Sequence, residues 1–233
     1  MCSSDLVSMS IPNWSFSSIK TFELCPRKYY GEKVSKEVPK EDTDATLYGT
    51  SFHLAAEEFI RDDVPLPEKF KFALPALQRL KNMPGEKHCE IEFGVARRDG
   101  QLVPCEFDAP DVWFRGIADL LIINGDTATL LDYKTSKSAK YADTRQLALM
   151  AACTFMVFPH VKVVKAGLLF VVCNALVKEQ YTYDRRFDIF GEMNGLLERR
   201  EVAHETGVFN PNPNGLCRKY CGMVSCAHNG KYT

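Results

Sequence analysis

The chain has 233 residues, of which 45% are hydrophobic and 25% charged, a composition typical of a globular protein with a substantial core. Its formal net charge of −1 excludes a strong overall attraction to nucleic acid or to an anionic membrane, so any such contact must come from a local charge cluster. The sequence lacks both an apolar run of about 20 residues and a recognisable secretory signal, which predicts a cytoplasmic protein.

The first third of the chain is predicted to be mainly helical. Apolar residues recur there at roughly helical spacing, and Pro26 and Pro75 are each expected to bend or end a helix. The predicted segments are a bent helix over 15–34, a charged linker over 35–46, and helices over 47–63 and 67–82.

The pattern changes near residue 87, where apolar and polar residues begin to alternate as they do in strands. The predicted elements are strands over 88–97, 112–123 and 127–134, a helix over 144–158, strands over 161–174 and 179–184, and a helix over 185–205. This order predicts an α/β fold in which a mixed central sheet is flanked by helices.

The stretch 118–138 reads mostly as two apolar strands joined by a tight turn, yet Asp119, Asp132 and Lys134 lie inside or beside those strands. Asn124-Gly125 predicts the turn, because a two-residue type I′ loop needs positive φ at both positions. In that register Asp119 lies opposite Leu130, and all three charges project from one face.

Two carboxylates on a mostly apolar face repel each other unless a cation compensates them. Magnesium or manganese, which prefer oxygen ligands, would compensate Asp119 and Asp132, and Lys134 would then meet a phosphate or a metal-bound hydroxide. Two alternatives stay open at this stage. The charges could form a solvent-facing salt bridge, or a three-residue turn could place the two aspartates on opposite faces.

The segments "GIAD" at 116–119 and "LLDYK" at 130–134 resemble the core motif of the PD-(D/E)XK nuclease superfamily, with Ala118 where the superfamily name has Pro. Three further segments resemble motifs of its RecB-like branch, which includes CRISPR-associated nucleases and phage or bacterial recombination exonucleases. They are "SFSSIKTFELCPRKYY" from Ser15, "GTSFH" from Gly49 and "QLALMAA" from Gln146.

The resemblance implies a restriction-endonuclease-like core and one nuclease domain over residues 1–233. Its parts would be a helical N-terminal part at 15–86, a catalytic α/β core at 87–205 and a cysteine-rich tail at 206–233. The cell would be bacterial, archaeal or phage-infected.

The resemblance also implies a ligand set for Mg²⁺ or Mn²⁺. His53, Asp119 and Asp132 would bind the ion, with the Tyr133 backbone carbonyl as a further ligand. A lone histidine on an apolar helix is otherwise more often a packed or surface residue. Glu57, one helical turn later, would orient the imidazole.

Three further residues receive catalytic roles from the same resemblance. Lys134 would orient or help to deprotonate the attacking water, and Gln146 would brace Lys134 or the substrate backbone. Glu92 is favoured over Glu90 as an additional acid in the preceding strand.

Three cysteines lie within ten residues of the tail, and the resemblance joins them to a fourth near the N-terminus. In the RecB-like branch this layout holds a four-iron, four-sulfur cluster, which would tie the two ends of the chain together. Four thiolates would also satisfy a zinc ion. The four residues are Cys25, Cys217, Cys221 and Cys226.

A basic string runs from the hairpin to the next helix and is suited to backbone phosphates beside the metal; its members are Lys134, Lys137, Lys140 and Arg145. A solvated lysine loop would look the same. We therefore expect a metal-dependent DNA exonuclease or endonuclease acting in recombination, repair, phage DNA metabolism or CRISPR adaptation, with a helicase or other partner protein where unwinding is needed. The alternative is a non-catalytic adaptor that holds DNA ends for a partner.

Overall fold

A computed structural model describes residues 11–39 and 42–230, which form two compact units. One unit contains residues 42–191, and the other combines residues 11–39 with 192–230. The first ten residues, on which the prediction about a secretory signal depended, lie outside the described part. The assignment of the chain to one nuclease domain stays a prediction.

The helices, in chain order, are α1 (Phe16–Leu24), α2 (Pro26–Tyr29), α3 (Asp44–Arg61), α4 (Leu74–Lys81), α5 (Arg145–Val157), α6 (Arg186–Gly191) and α7 (Asn194–Thr206). A π-helical turn covers Tyr30–Val34, and 3₁₀ helices cover Glu68–Ala73 and Tyr183–Arg185. The strands are β1 (Glu86–Arg98), β2 (Gln101–Cys105), β3 (Val112–Asn124), β4 (Thr127–Lys134), β5 (Val163–Phe170) and β6 (Ala175–Thr182).

None of the described helices has both the length and the apolar content that crossing a membrane requires.

The unit that contains the chain ends is helical. Ser15 begins α1 with a reciprocal capping box to Ser18, and Pro26 opens α2 at a position where its missing N–H costs little. α7 packs against α1 and ends at Gly207, whose φ of 69° favours glycine.

The unit over 42–191 contains a six-stranded mixed sheet, which confirms the predicted α/β architecture. The strand order is β2-β1-β3-β4-β5-β6, and only the β4–β5 pair is parallel. The crossover between those two strands is α5. The parallel pair puts the carboxyl ends of β4 and β5 at the same edge of the sheet.

Helices cover this sheet on both faces. On one face α3 and the 3₁₀ helix over Glu68–Ala73 bury an apolar cluster that includes Phe52, Leu131 and Tyr133. Side chains alternate along a strand, so Asp132 projects to the opposite face, where its partner Gln146 lies on α5.

The predicted turn of the hairpin was wrong by one residue. Asn124 pairs with Thr127, so the loop is Gly125-Asp126, and φ is positive at Gly125 alone, as in a type II′ turn. Leu130 therefore pairs with Leu121 rather than with Asp119. Moving the turn by one residue changes the cross-strand pairing by two, which preserves the face that each residue occupies.

Two other elements differ from prediction. β2 was missed because it is a five-residue strand at the sheet edge and contains Pro104, which argues against a strand. The helix predicted over 185–205 is divided into α6 and α7, with a break at residues 192–193.

Candidate active site

The carboxyl end of β4 carries a buried acid and a lysine in direct contact. Asp132 is 4% exposed, and its Oδ2 lies 2.6 Å from the Lys134 ammonium. Gln146 on α5 contacts both side chains. Its Nε2 donates to Asp132 Oδ1 at 2.6 Å, and its Oε1 accepts from Lys134 Nζ at 3.2 Å. The three side chains therefore hold one another in a closed triangle.

Asp119 on β3 connects this triangle to α3. It is 8% exposed, and its Oδ2 accepts the backbone N–H of Tyr133, the residue after Asp132. Its Oδ1 lies 3.1 Å from Nδ1 of His53. The tertiary fold thus brings together a helix residue and a strand residue that are 66 positions apart in sequence.

Glu90 on β1 completes the group around His53. Its φ of 49° departs from the extended conformation of the strand, and its carboxylate lies 3.8 Å from His53 Nδ1. One potential ligand atom from each of His53, Glu90 and Asp119 lies within 4.8 Å of the others. Within the described ranges, no other set of three histidine, cysteine or acidic side chains is as compact.

The electrostatics of the group indicate a place for a cation. Burial of the His53 ring lowers its pKa, but the Asp119 and Glu90 carboxylates more than offset this and raise the pKa to about 10. Burial, followed by repulsion from Asp119, raises the pKa of Asp132 to about 6 despite the neighbouring Lys134. The imidazolium thus partly balances a local excess of carboxylates.

The residues present fit a hard divalent ion. Carboxylate oxygens and an imidazole are ligands that Mg²⁺ or Mn²⁺ accepts, and His53, Glu90 and Asp119 offer one atom each. Oδ2 of Asp132 is buried and, apart from its ion-pair contact with Lys134, has no hydrogen bond of good geometry in the described part of the chain. It has remaining capacity to accept a further interaction.

A second cluster of potential ligands lies in the unit that contains the chain ends. Backbone N–H groups of Asn212 and Asn214 each donate at 3.3 Å to a cysteine sulfur. Arg27 and Lys28, which form ion pairs with Glu37 and Glu32, also line the cavity at this cluster. The four cysteines lining it are Cys25, Cys217, Cys221 and Cys226, all with free thiols.

The sequence profile of the PD-(D/E)XK nuclease superfamily matches residues 13–226. The chain belongs to this superfamily. Comparison with curated protein sequences gave no match.

Two solved structures are similar to this PD-(D/E)XK protein at low sequence identity. A Eubacterium rectale protein solved under the name "Putative exonuclease" has a TM-score of 0.51 and 14% identity, covering 95% of this chain and 92% of its own. The crystal structure of SSO0001 has a TM-score of 0.48 and 15% identity, covering 93% and 87% of the two chains.

Not all of the acids predicted from the sequence lie in the site of this PD-(D/E)XK protein. Asp119, Asp132 and Lys134 lie together with His53 and Gln146, whereas Glu92 is exposed and outside the compact group. Glu90, the residue ranked second, is the acid that approaches His53. Alternation along a regular strand does not distinguish the two, because they lie two residues apart and only the unusual φ of Glu90 sets it apart.

Other predicted contacts also changed. Glu57 forms an ion pair with Arg61 instead of orienting His53. In the basic string, Lys137 and Lys140 are exposed, but the Arg145 guanidinium donates to both oxygens of Asp143, at 3.0 and 2.8 Å. Arg145 is therefore less available to a phosphate than the two lysines.

Proposed function

We propose that the chain is a Mg²⁺- or Mn²⁺-dependent deoxyribonuclease of the RecB-like branch, acting as an exonuclease on DNA phosphodiesters. The observation that carries this proposal is the compact His53, Glu90 and Asp119 group beside the Asp132–Lys134 pair. Superfamily membership supports the same reaction class.

The ion would be held by His53, Asp119, Asp132 and Glu90, with the Tyr133 carbonyl as a further oxygen ligand. When bound, it would act as a Lewis acid toward a phosphoryl oxygen and lower the pKa of a water molecule. The buried position of both aspartates strengthens their attraction for a cation, because water screens them little.

Lys134 would orient the attacking water and stabilise the charge that develops on the phosphoryl oxygens. Its ammonium is already fixed in place by Asp132 and by Gln146, so little reorganisation is needed during the reaction. Attack of the water oxygen on phosphorus would form the new P–O bond while the bond to the leaving sugar oxygen breaks. The water would release a proton to solvent, and the sugar oxygen would take one up from solvent.

Lys137 and Lys140 follow the catalytic strand and would hold the substrate backbone. Arg145 would contact the substrate backbone only if its ion pair with Asp143 were broken. The cellular process would be recombination, repair, phage DNA metabolism or CRISPR adaptation, in cooperation with a helicase or another partner protein.

The test is cleavage of end-labelled linear DNA, single- and double-stranded, with Mg²⁺, Mn²⁺ or EDTA. Wild-type protein is expected to shorten the DNA only with a divalent ion, and Asp119→Asn and Lys134→Met should abolish this. Asp126→Asn, in the turn of the same hairpin, and Lys165→Met, on the exposed side of β5, are matched controls that should cleave normally.

If the protein binds DNA but does not cleave it with any divalent ion, the nuclease proposal is rejected. The alternative, a non-catalytic adaptor that holds DNA ends, would then be retained. Equal loss in the control variants would instead indicate a general effect of charge or folding.

We also propose that the four cysteines bind a four-iron, four-sulfur cluster. Tetrahedral zinc with Zn–S bonds of about 2.3 Å would need sulfurs about 3.8 Å apart. No three of the four sulfurs lie within 4.8 Å of one another, although all line one cavity. Backbone N–H groups donate to the sulfurs of Cys25 and Cys217, a kind of contact that tunes iron-sulfur clusters.

Iron, sulfide and zinc analysis of protein purified without oxygen tests this proposal. Four irons and four sulfides per chain are expected, with loss in Cys221→Ala and retention in Cys173→Ala, whose thiol is exposed and outside the cavity. One zinc per chain, without iron, would overturn it.

A further inference from the structure

An open cavity lies at the edge of the sheet where β4 and β5 end. Its volume is about 290 Å³, close to the lower limit of small-molecule sites. One wall comes from the 3₁₀ helix and α4, and the other from the end of β5 and the turn into β6. The lining includes Phe72, Pro75, Arg79, Leu169, Val171 and Asn174.

This cavity adjoins the candidate active site through the backbone. The N–H of Val171 donates to the carbonyl of Lys134 at 3.0 Å, and Phe170 pairs with Lys134 in the parallel ladder. Leu169 and Val171 belong to the cluster under α3 that also contains Tyr133. The cavity therefore lies at the same sheet edge as Lys134, on the opposite face.

The lining combines a buried apolar floor with exposed groups of distinct chemistry. Leu169 and Val171 are buried, whereas the Phe72 ring is 48% exposed. Asn174 adds an amide at the turn into β6. An exposed aromatic face beside an amide can stack on a flat heterocycle and hydrogen-bond to its edge.

The charge of the cavity is complementary to an anion. Arg79 is the only charged residue of the lining, and its Nε donates to the Pro75 carbonyl. It has no carboxylate partner in the described part of the chain. The Arg79 guanidinium is thus held near the cavity, and its remaining N–H groups can donate hydrogen bonds to a phosphate.

We propose that this cavity binds an unpaired nucleotide of the DNA strand, an inference that rests on the proposed function. The base stacks on Phe72 above the apolar floor, Asn174 contacts its edge, and Arg79 contacts a backbone phosphate. A paired base cannot enter, because it would have to leave the duplex stack. The cavity therefore selects single strands or frayed ends over closed duplex.

The experiment measures dissociation constants for a fluorescein-labelled oligothymidylate of about 12 nucleotides and for a blunt duplex of equal length. The Asp132→Asn background prevents cleavage from disturbing the measurement. Phe72→Ala should weaken single-strand binding by about 5- to 150-fold, the effect of losing one stacked base, and duplex binding by less than about twofold. Arg79→Met should reduce the dependence of log Kd on log salt by about one.

Phe187→Ala is the matched control, because its ring on α6 is equally exposed, at 49%, and lies outside the cavity. It should bind both DNAs as the parent does. Single-strand binding by Phe72→Ala within about twofold of the parent, or equal losses for single strand and duplex, would overturn the proposal.

These outcomes are separable from the nuclease test. If single-strand binding depends on Phe72 but the protein never cleaves DNA, the nuclease proposal is rejected and the nucleotide-binding proposal is retained. If cleavage depends on the metal but Phe72→Ala leaves the affinity unchanged, the nucleotide-binding proposal is rejected and the nuclease proposal is retained.

Discussion

Gln146 donates a 2.6 Å hydrogen bond to Asp132, across the gap between α5 and β4. The same amide accepts from Lys134, so one side chain fixes both the buried acid and the lysine. This arrangement makes Gln146 a positioning residue whose loss should affect the reaction step more than substrate binding.

Gln146→Leu should lower kcat by about 10- to 100-fold with little change in KM, as expected for loss of a supporting contact around a metal site. Losing a donor also destabilises the Asp132 carboxylate, so its pKa in the metal-free protein should rise above about 6. Steady-state kinetics measures the first effect, and NMR titration of the metal-free protein measures the second. Gln78→Leu, which removes an exposed amide on α4, should change neither.

Glu90 and Glu92 should differ sharply in metal binding. Glu90→Gln is expected to weaken Mn²⁺ binding by about 10- to 100-fold, because its carboxylate belongs to the compact group. Glu92→Gln removes the same charge from the same strand but from an exposed position, so its affinity should stay close to wild type. Isothermal titration calorimetry measures both, and a larger loss in Glu92→Gln would reverse the assignment.

Metal binding should release a proton from His53. Its pKa of about 10 in the metal-free protein means that the ring is protonated at neutral pH, and a ring nitrogen must lose that proton to bind the ion. Affinity should therefore rise with pH up to about 10. Calorimetry in buffers of different ionisation enthalpy measures the number of protons released on metal binding. His53→Gln is expected to release about one proton fewer than wild type. An unchanged count would contradict the role of His53.

The metal-free protein should lose part of its stability as pH rises. Because folding raises the His53 pKa from 6.5 to about 10, its contribution is fully present below pH 6.5 and is lost as pH rises through about 10. The free-energy difference between wild type and His53→Gln, from urea unfolding in EDTA, should shrink across that window. A difference that grows with pH would contradict the ion pairs with Asp119 and Glu90.

The observed hairpin register predicts how two substitutions change the stability of the protein. Gly125→Ala should cost about 1 kcal/mol, because φ at Gly125 is 62°. Asn124→Val should be neutral or slightly stabilising, because Asn124 is a strand residue paired with Thr127. Chemical unfolding gives both values. A large cost for Asn124→Val would favour the turn predicted at Asn124-Gly125.

Much of the site was predictable because it depends on short patterns. The alternation of Asp132 and Lys134 with apolar neighbours places both on one face, and this survives the change of turn position. The order of strands and helices also predicted a mixed sheet covered by helices.

The rest depends on tertiary geometry that no local pattern contains. The approach of Glu90 to His53 arises from a positive φ in a long strand. The engagement of Arg145 by Asp143 depends on the side chains rather than on the charge pattern. The cavity between α4 and the end of β5 joins segments about 100 residues apart, so neither segment alone indicates it.

The central claim is that His53 ligates the catalytic ion, and electron spin-echo spectroscopy of the Mn²⁺-loaded protein tests it most directly. With histidine labelled with the heavy nitrogen isotope, the wild-type spectrum should show coupling to one imidazole nitrogen, and His53→Gln should lose it. A wild-type ion with oxygen ligands alone, or coupling that persists in His53→Gln, would contradict the account.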